Sequence, residues 1–443
     1  MWLSRKSRTR TLQRQPVFYG WVQVAITLVT GAFSTGAGIW GFSVFVKPMG
    51  DEFGWSRAAI YGVLTVRALV GGALGPFMGP LQDTRLGPRF FSIATTVTMA
   101  GSMMAMKWID DLVLFYLIFG GLGALANFGS SEMMLSVVLP RWFVRKRGRA
   151  MGVGSLGTAL GSLVFPFLIT LLLSMFDWRD AWLALGVLTL VILGPLSLLV
   201  RTRPEDLGLL PDGDKEPPAR PAVALGEITP RSAVERNFSG AEVLRLHCFW
   251  LLVLAACLTS LGMTGFHANW LPYFQDIGFT RAQGSLAITT YGICGISTGV
   301  FWGWFAERFP VNRLLGIQAC LTGLSVLLFL TIDNKFMLIL AAASHGLSVR
   351  GMLVMRPMMI ASYFGREHLG AVNGIMRPFT TLISAGSPLF VAWLHDQRGS
   401  YVTAFWIIAV SWFIAGAALT LARTPQTRSP TAAVLPRATG GGA

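Results

Sequence analysis

Long apolar stretches separated by short polar breaks run along almost the whole chain. A helix needs roughly 20 apolar residues to span the hydrocarbon core of a bilayer, and twelve stretches of about that length are present. The predicted spans are 18–45, 57–81, 89–107, 112–139, 149–175, 178–200, 246–273, 282–306, 311–332, 336–363, 369–394 and 400–422. The pattern predicts an all-α membrane protein with twelve transmembrane helices.

The composition agrees with a chain immersed in lipid. Of the 443 residues, 53% are hydrophobic and 13% are charged, which is too apolar for a solvated globule. The net charge of +15 resides in loops and helix interiors, so it does not favour nucleic-acid binding. The basic N-terminal tail precedes an apolar stretch too long for a signal-peptide core, so we expect the first helix to be retained.

Basic residues gather in the loops on one side of the predicted bundle. That side holds the N-terminal tail, the 141–149 loop and the 201–245 segment, whereas the loops on the other side are slightly acidic. By the positive-inside rule the basic side is cytoplasmic, with both termini inside. The Arg141 to Arg149 cluster is interpreted as a topology signal that also attracts anionic lipids.

A charged, proline-rich stretch after the sixth apolar segment divides the chain. We predict a six-helix bundle at 1–200, a flexible cytoplasmic linker at 201–245, a second six-helix bundle at 246–424 and a cytoplasmic tail at 425–443.

Residues of the first half recur in the second at a nearly constant offset of 222 to 224. Gly71, Gly75 and Gly79 match Gly295, Gly299 and Gly303, while Gly148 and Gly152 match Gly370 and Gly374. Such a parallel repeat predicts two bundles related by a pseudo-two-fold axis, with a substrate site between them near the midplane. Glycines at every fourth position predict close helix contacts.

The stretches "GPLQDTRLGPR" (79–89) and "GWFAERFPVNR" (303–313) resemble the loop between helices two and three of the major facilitator superfamily and its copy in the second half. The resemblance implies the superfamily fold and a gating role for the loop residues. These are Gly79, Asp83, Arg85, Arg89, Glu307 and Arg308. Asp83 is expected to accept hydrogen bonds at a neighbouring helix end and to latch the outward-facing state.

Further motifs, among them "VFVKPMGDEFGWSRA", "RWFVRKRGRAMG" and "RPEDLGLLPDG", resemble the monocarboxylate transporter and oxalate/formate antiporter branch. This resemblance implies carriage of small organic anions, coupled to protons or to a counter-anion, across a bacterial inner membrane. Fold-level likeness alone names no substrate. An efflux carrier for amphipathic or drug-like compounds is the alternative, favoured by the aromatic and methionine content.

Four arginines and one carboxylate fall inside predicted helices, where a charge costs roughly 2.5 to 3.5 kcal/mol. Arg67 and Arg350 lie near mid-depth, and Tyr291 is the repeat counterpart of Arg67. We predict that all three bind a carboxylate, since a guanidinium fork and a hydroxyl suit that group. Packing or an interdomain pair is the alternative for Arg67. Candidate lining residues are Arg377, His267, Asn127 and Trp40.

The tenth helix carries two further polar groups that share one face, His345 and Arg356, about three turns apart. Arg356 lies at a depth comparable with Glu132, so we predict an ion pair between them. Glu132 is also a candidate proton carrier, because burial and a movable arginine would shift its protonation. His267 is a second proton candidate.

Neither an enzyme nor a cofactor-dependent protein is expected. No nucleophile lies beside a base, no phosphate-binding glycine loop is present, and the four cysteines show no metal-ligand spacing. The expected partners are a small organic anion and the lipid bilayer, and the chain is expected to act as a monomer.

Overall fold

A computed structural model describes residues 18–214 and 238–425, and this part of the chain is helical, without strands. The predicted N-terminal and C-terminal tails lie almost wholly outside the described residues, as does the middle of the predicted linker. The helices are α1 (Tyr19–Phe53), α2 (Arg57–Gln82), α3 (Gly87–Ala105), α4 (112–142), α5 (Arg147–Met175), α6 (Trp178–Leu198), α7 (247–276), α8 (Arg281–Ala306), α9 (Val311–Phe329), α10 (Lys335–Phe364), α11 (Leu369–Arg398) and α12 (Val402–Leu421).

These helices follow the twelve predicted spans closely. Within the described ranges, nine are long and apolar enough to cross a membrane. The other three are α3, whose sequence is less apolar, α4, which is interrupted, and α11, which carries polar residues along its face. The prediction of an all-α membrane protein is confirmed.

The twelve helices form two bundles, α1–α6 and α7–α12, with matching internal packing. In the first bundle α3 packs on α6 and α1 on α5, and in the second α9 packs on α12 and α7 on α11. The two most extensive contacts between the bundles are those of α2 with α11 and of α5 with α8. Since the repeat relates α2 to α8 and α5 to α11, these contacts are equivalent under the pseudo-two-fold axis.

Glycines allow the bundles to touch through their backbones. A Cβ placed on Gly79 would lie 2.3 Å from the Gly370 carbonyl oxygen, and one on Gly148 would lie 1.8 Å from that of Gly303. Only glycine fits at such distances, and the glycines at every fourth position predicted these close contacts. Both contacts lie at the predicted cytoplasmic side, so the bundles are closed there.

Four helices are irregular at matching places. α1 contains a π-helical turn at Gly36–Trp40, and α7 contains one at Leu261–Gly265, 225 positions later. α4 is interrupted at 126–130, and α10 is interrupted at Arg350. Interrupted helices near the membrane midplane are typical of transporter binding sites.

The start of the predicted linker is folded against the first bundle. Short 3-10 turns at Pro204–Leu207 and Pro211–Gly213 follow α6. The buried Asp212 carboxylate accepts hydrogen bonds from the backbone N–H groups of residues 144–146, just before α5. Residues 201–214 therefore brace the loop between α4 and α5.

Candidate functional site

Arg67 lies in the middle of α2 and contacts α1 and α4. Its guanidinium donates to the side-chain oxygen of Asn127 at 3.2 Å and lies 5.5 Å from the centre of the Phe119 ring. The Arg67 side chain packs against Gly38 of α1 and Gly123 of α4, where a Cβ would lie at van der Waals contact distances of 3.4 and 3.7 Å from it. Among the described residues no carboxylate pairs with Arg67.

Arg350 lies at the break in α10. Its guanidinium carbon is 5.7 Å from the centre of the Tyr291 ring, and its Nε is buried without a hydrogen-bond partner. Gly295 of α8 makes room for it, because a Cβ there would lie 3.0 Å from Arg350 Cγ. Arg350 also lines a narrow cleft that α5 forms with α8 and α10. No carboxylate in the described ranges pairs with it.

The two arginines belong to pairs that occupy equivalent places in the two bundles. Tyr291 stands 224 positions after Arg67, and Arg350 stands 223 positions after Asn127. The arginine is on α2 in the first bundle and on α10 in the second. Each bundle therefore contributes one guanidinium to the interior, next to an interrupted helix.

Two histidines pack beside Tyr291 in the second bundle. The Nε2 atoms of His267 and His345 are 3.1 Å apart, and His345 Nδ1 is 2.7 Å from the Ser325 hydroxyl. The His267 ring centre is 5.0 Å from that of Tyr291. The sequence placed His345 on one face with Arg356, but the structure gives it histidine and serine partners instead of an ion pair.

A second cavity, with an empty volume of about 540 Å³, lies between the bundles on the Asp83 side of Arg67. Glu132 Oε2 is 3.4 Å from Arg377 Nη2 in this cavity. The predicted pair of Glu132 with Arg356 is therefore wrong, because α11 packs directly on α2 and brings Arg377 closer. Arg356 lines the same cavity, and within the described ranges it has no ion pair.

Asp83 joins the bundles at the predicted cytoplasmic face. Its carboxylate accepts hydrogen bonds from the backbone N–H groups of Gly370 and Ala371, at 2.8 Å each, at the first turn of α11. Arg141 lies 2.7 Å from it. Burial raises the pKa of the Asp83 carboxyl, while Arg141 and the two N–H groups act to lower it. The contact satisfies the free donors of a helix N-terminus with an acidic group.

Glu307 makes the equivalent contact in the second half. It accepts hydrogen bonds from the backbone N–H and the side chain of Arg149, each at 2.8 Å, at the first turn of α5. Asp83 and Glu307, 224 positions apart, thus hold the N-terminal ends of α11 and α5 from the opposite bundle.

The remaining motif residues do not join the bundles. Arg85 pairs with Asp206 of the segment after α6 at 3.0 Å. Arg308 stacks on Trp304 of its own helix at 3.5 Å. Arg89, at the start of α3, has no ion pair among the described residues. Trp40 belongs to the π-helical turn of α1, and its side chain lies outside the described part.

Arg141 is a residue whose role the sequence did not predict. Besides Asp83, it donates to the backbone carbonyls of Arg366 and Glu367 before α11, at 2.9 Å each, and its side chain is 3% exposed. The interpretation of the 141–149 cluster as a topology and lipid signal is therefore incomplete, since Arg141 and Arg149 both bridge the bundles. The motif "RWFVRKRGRAMG" contains both residues, but its pattern does not distinguish them from their neighbours.

The sequence profile of the Major Facilitator Superfamily matches residues 28–280 and 252–439. Human "Monocarboxylate transporter 11" is 24% identical over 401 residues, which cover 87% of this chain and 79% of that protein. The "Oxalate:formate antiporter" of Oxalobacter formigenes is 22% identical over 393 residues, which cover 86% of each.

Solved structures share the architecture. The human organic anion transporter MFSD10 (TETRAN) matches with a TM-score of 0.65 and 16% identity, over 90% of this chain and 97% of that chain. The proton:xylose symporter XylE, bound to 6-bromo-6-deoxy-D-glucose, matches with a TM-score of 0.65 and 14% identity, over 91% and 94%. At these identities the likeness concerns the fold.

Proposed function

Because the chain belongs to the Major Facilitator Superfamily, we propose that it is a secondary transporter of a small organic anion, a carboxylate, that works by alternating access. Transport is coupled to protons or to a counter-anion. The protein acts as a monomer in the inner (plasma) membrane, with both termini in the cytoplasm. The proposed substrate class rests on the relatives whose names refer to monocarboxylates and to oxalate and formate.

The observation that carries the proposal is the pair of arginines without counter-ions. Arg67 and Arg350 lie inside the bundles, and neither has a carboxylate partner in the described ranges. An uncompensated charge within the membrane is expensive and is retained where it contacts a substrate, an ion or water. A carboxylate is the matching ligand, because its two oxygens fit the guanidinium fork.

The positions of the arginines suit alternating access. Arg67 and Asn127 come from the first bundle, while Arg350 and Tyr291 come from the second, so each bundle supplies one arginine and one neighbouring polar side chain to the proposed site. The bundles are held together on the cytoplasmic side by Asp83 and Glu307 and by the backbone contacts at the glycines. Closure on that side is the arrangement of an outward-facing or occluded transporter.

A ligand screen with charge variants tests the proposal. The purified protein is heated with formate, lactate, pyruvate, oxalate or benzoate, and the unfolding midpoint is followed. We expect at least one acid to raise the midpoint. Arg67→Gln and Arg350→Gln should weaken binding about 10- to 100-fold, since a hydrogen bond to a charged group contributes about 1.5 to 3 kcal/mol. Both variants should also unfold at higher temperature without ligand, because an unpaired internal charge is removed.

Arg308→Gln is the matched control, since Arg308 lies exposed just after α8 and its guanidinium contacts Trp304 near the end of that helix. It should bind like the parent protein. If no carboxylate raises the midpoint, or if the Arg67 and Arg350 variants respond like the parent, the proposal fails. Stabilisation by lipophilic compounds with little dependence on these arginines would favour the alternative, efflux of amphipathic compounds.

A further inference from the structure

A continuous chain of hydrogen bonds crosses three helices of the second bundle. It runs from His267 of α7 to His345 of α10 and on to Ser325 of α9. The Ser325 hydroxyl continues it to the carbonyl oxygen of Thr322, one turn earlier, at 2.6 Å. Latching the bundles requires none of these groups, and of the three side chains only His267 was predicted to line the carboxylate site.

The direction of the chain follows from its last link. The Ser325 hydroxyl donates to Thr322, so toward His345 it acts as an acceptor, and His345 Nδ1 carries the hydrogen. In the neutral ring His345 Nε2 is then an acceptor, so His267 Nε2 carries the hydrogen between the two rings. His267 Nδ1 is left with a free lone pair. Within the described ranges it has no hydrogen-bond partner.

The pair is arranged to receive a proton from one side. His345 is fully buried, whereas His267 is half-buried. A proton that binds the lone pair of His267 Nδ1 converts this ring to the imidazolium form and breaks no hydrogen bond in the chain. The Nε2 hydrogen of His267 still points at His345 Nε2, so the two rings can share the charge.

Arg350 links this proton to an anion. The Tyr291 ring lies close to both the histidine pair and Arg350, with its centre 5.0 Å from the His267 ring centre and 5.7 Å from the Arg350 guanidinium carbon. Two positive charges this close oppose each other inside the protein. A carboxylate bound at Arg350 cancels one of them and favours protonation, and by linkage the proton favours the carboxylate equally.

We propose that the His267–His345 pair is the proton-binding site of the transporter and that the proton binds together with the anion. The inference rests on the proposed function and specifies its coupling. Among the described residues, the titratable and charged groups close to the pair are Tyr291 of α8, which packs on both rings, and Arg350 of α10, which lies next to Tyr291. α9 contributes the neutral Ser325 and Thr322. Glu132 lies in the separate cavity near Arg377.

Proton uptake on ligand addition tests the pair directly. The purified protein is placed in weakly buffered solution with a pH-sensitive dye, and formate, lactate or oxalate adjusted to the same pH is added. The parent protein should take up protons as the anion saturates. His267→Gln and His345→Gln should abolish the uptake, and in His345→Gln the anion should still raise the unfolding midpoint at neutral pH. His395→Gln is the matched control, since His395 lies in the last turn of α11, where its neighbours are Asp276 and Tyr401 and neither histidine of the pair.

Three outcomes overturn the inference, and they differ in what else they affect. Uptake that persists in both histidine variants, or that is lost in Glu132→Gln alone, assigns the proton elsewhere while leaving the proposed function intact. A thermal shift by the anion without proton uptake in the parent protein rejects proton coupling and favours counter-anion exchange. Absence of any anion-dependent thermal shift rejects the proposed function as well.

Discussion

Replacing Asp83 with alanine tests whether the contact with α11 closes the predicted cytoplasmic side. In the closed arrangement the carboxylate accepts hydrogen bonds from the N–H groups of Gly370 and Ala371 and pairs with Arg141. The Asp83 side chain is 8% exposed there, and that of Arg141 is 3% exposed. If the bundles separate, water can solvate all of these groups. The substitution therefore penalises the closed arrangement selectively.

The size of the effect follows from the donors left behind. Alanine leaves two backbone N–H groups at the start of α11 without an acceptor, and a buried donor without a partner costs about 1 to 3 kcal/mol. Arg141 keeps its hydrogen bonds to the carbonyls of Arg366 and Glu367. A total of about 3 kcal/mol shifts the ratio of closed to open protein by about a hundredfold.

Distances between spin labels report that ratio. Leu86, in the loop after α2, and Phe309, in the loop after α8, are 70% and 52% exposed and belong to different bundles. Labelled cysteines at these positions, in a background without the four native cysteines, should give one short distance in the parent protein. Asp83→Ala should add a longer distance population.

Arg85→Ala is the control for the removal of a charge in the same loop. Arg85 is 75% exposed and pairs with Asp206 of its own half, so the pair contributes about 1 kcal/mol or less. It should leave the distance distribution unchanged. The reasoning is refuted if Asp83→Ala also leaves it unchanged, or if Arg85→Ala broadens it to the same extent.

Two further substitutions test the contacts around this closure. Gly148→Ala adds a methyl group that would lie 1.8 Å from the Gly303 oxygen, so it should destabilise the closed arrangement by about 1 to 3 kcal/mol and lengthen the distance between the same labels. Gly101→Ala is the control, because nothing lies within 4 Å of a Cβ there, and it should have no effect. Asp212→Ala removes the acceptor for three N–H groups at 144–146. It should lower the unfolding midpoint and speed proteolysis near residue 212, and an unchanged midpoint would contradict the bracing role.

Helix positions were largely predictable because membrane thickness fixes the length of an apolar span. The predicted ends agree with the structure within a few residues for most helices. The largest difference is in α1, predicted to end at 45 and observed to continue to Phe53. This last part carries the lysine, aspartate and glutamate of the motif "VFVKPMGDEF", so its hydropathy falls although the helical hydrogen bonding continues.

The interruptions of α4 and α10 were not predictable, because side chains from other helices support them. Gln82 of α2 donates to the Phe128 carbonyl at 2.7 Å, and Gln318 of α9 donates to the Ser348 carbonyl at 2.9 Å. These bonds satisfy backbone oxygens that a break would otherwise leave unpaired. In the sequence both glutamines are single polar residues near or within apolar segments, and nothing in the local pattern indicates their targets.

The ion-pair partners across the bundles could not be predicted from the sequence either. Depth along the membrane normal is readable from residue numbers, and it placed Glu132 level with Arg356, its counterpart at an offset of 224. The contact depends on the direction in which each side chain leaves its helix and on how closely α11 approaches α2. Both bring Arg377 to Glu132 instead. A prediction from depth alone therefore identifies the cavity but not the bond within it.

The internal repeat was the most informative signal, and its limits have a physical cause. It located the glycine contacts and the equivalence of Asp83 and Glu307, because a backbone contact tolerates no added atom and a helix N-terminus requires an acceptor. Side chains that project into the interior are free of both constraints. There the repeat counterpart of Arg67 is Tyr291, and that of Asn127 is Arg350. The two bundles therefore share one backbone arrangement, but the arginine is on α2 in the first bundle and on α10 in the second. Under the proposed function, these side chains are selected by the anion, so the proposed site lies at positions where the repeat fails.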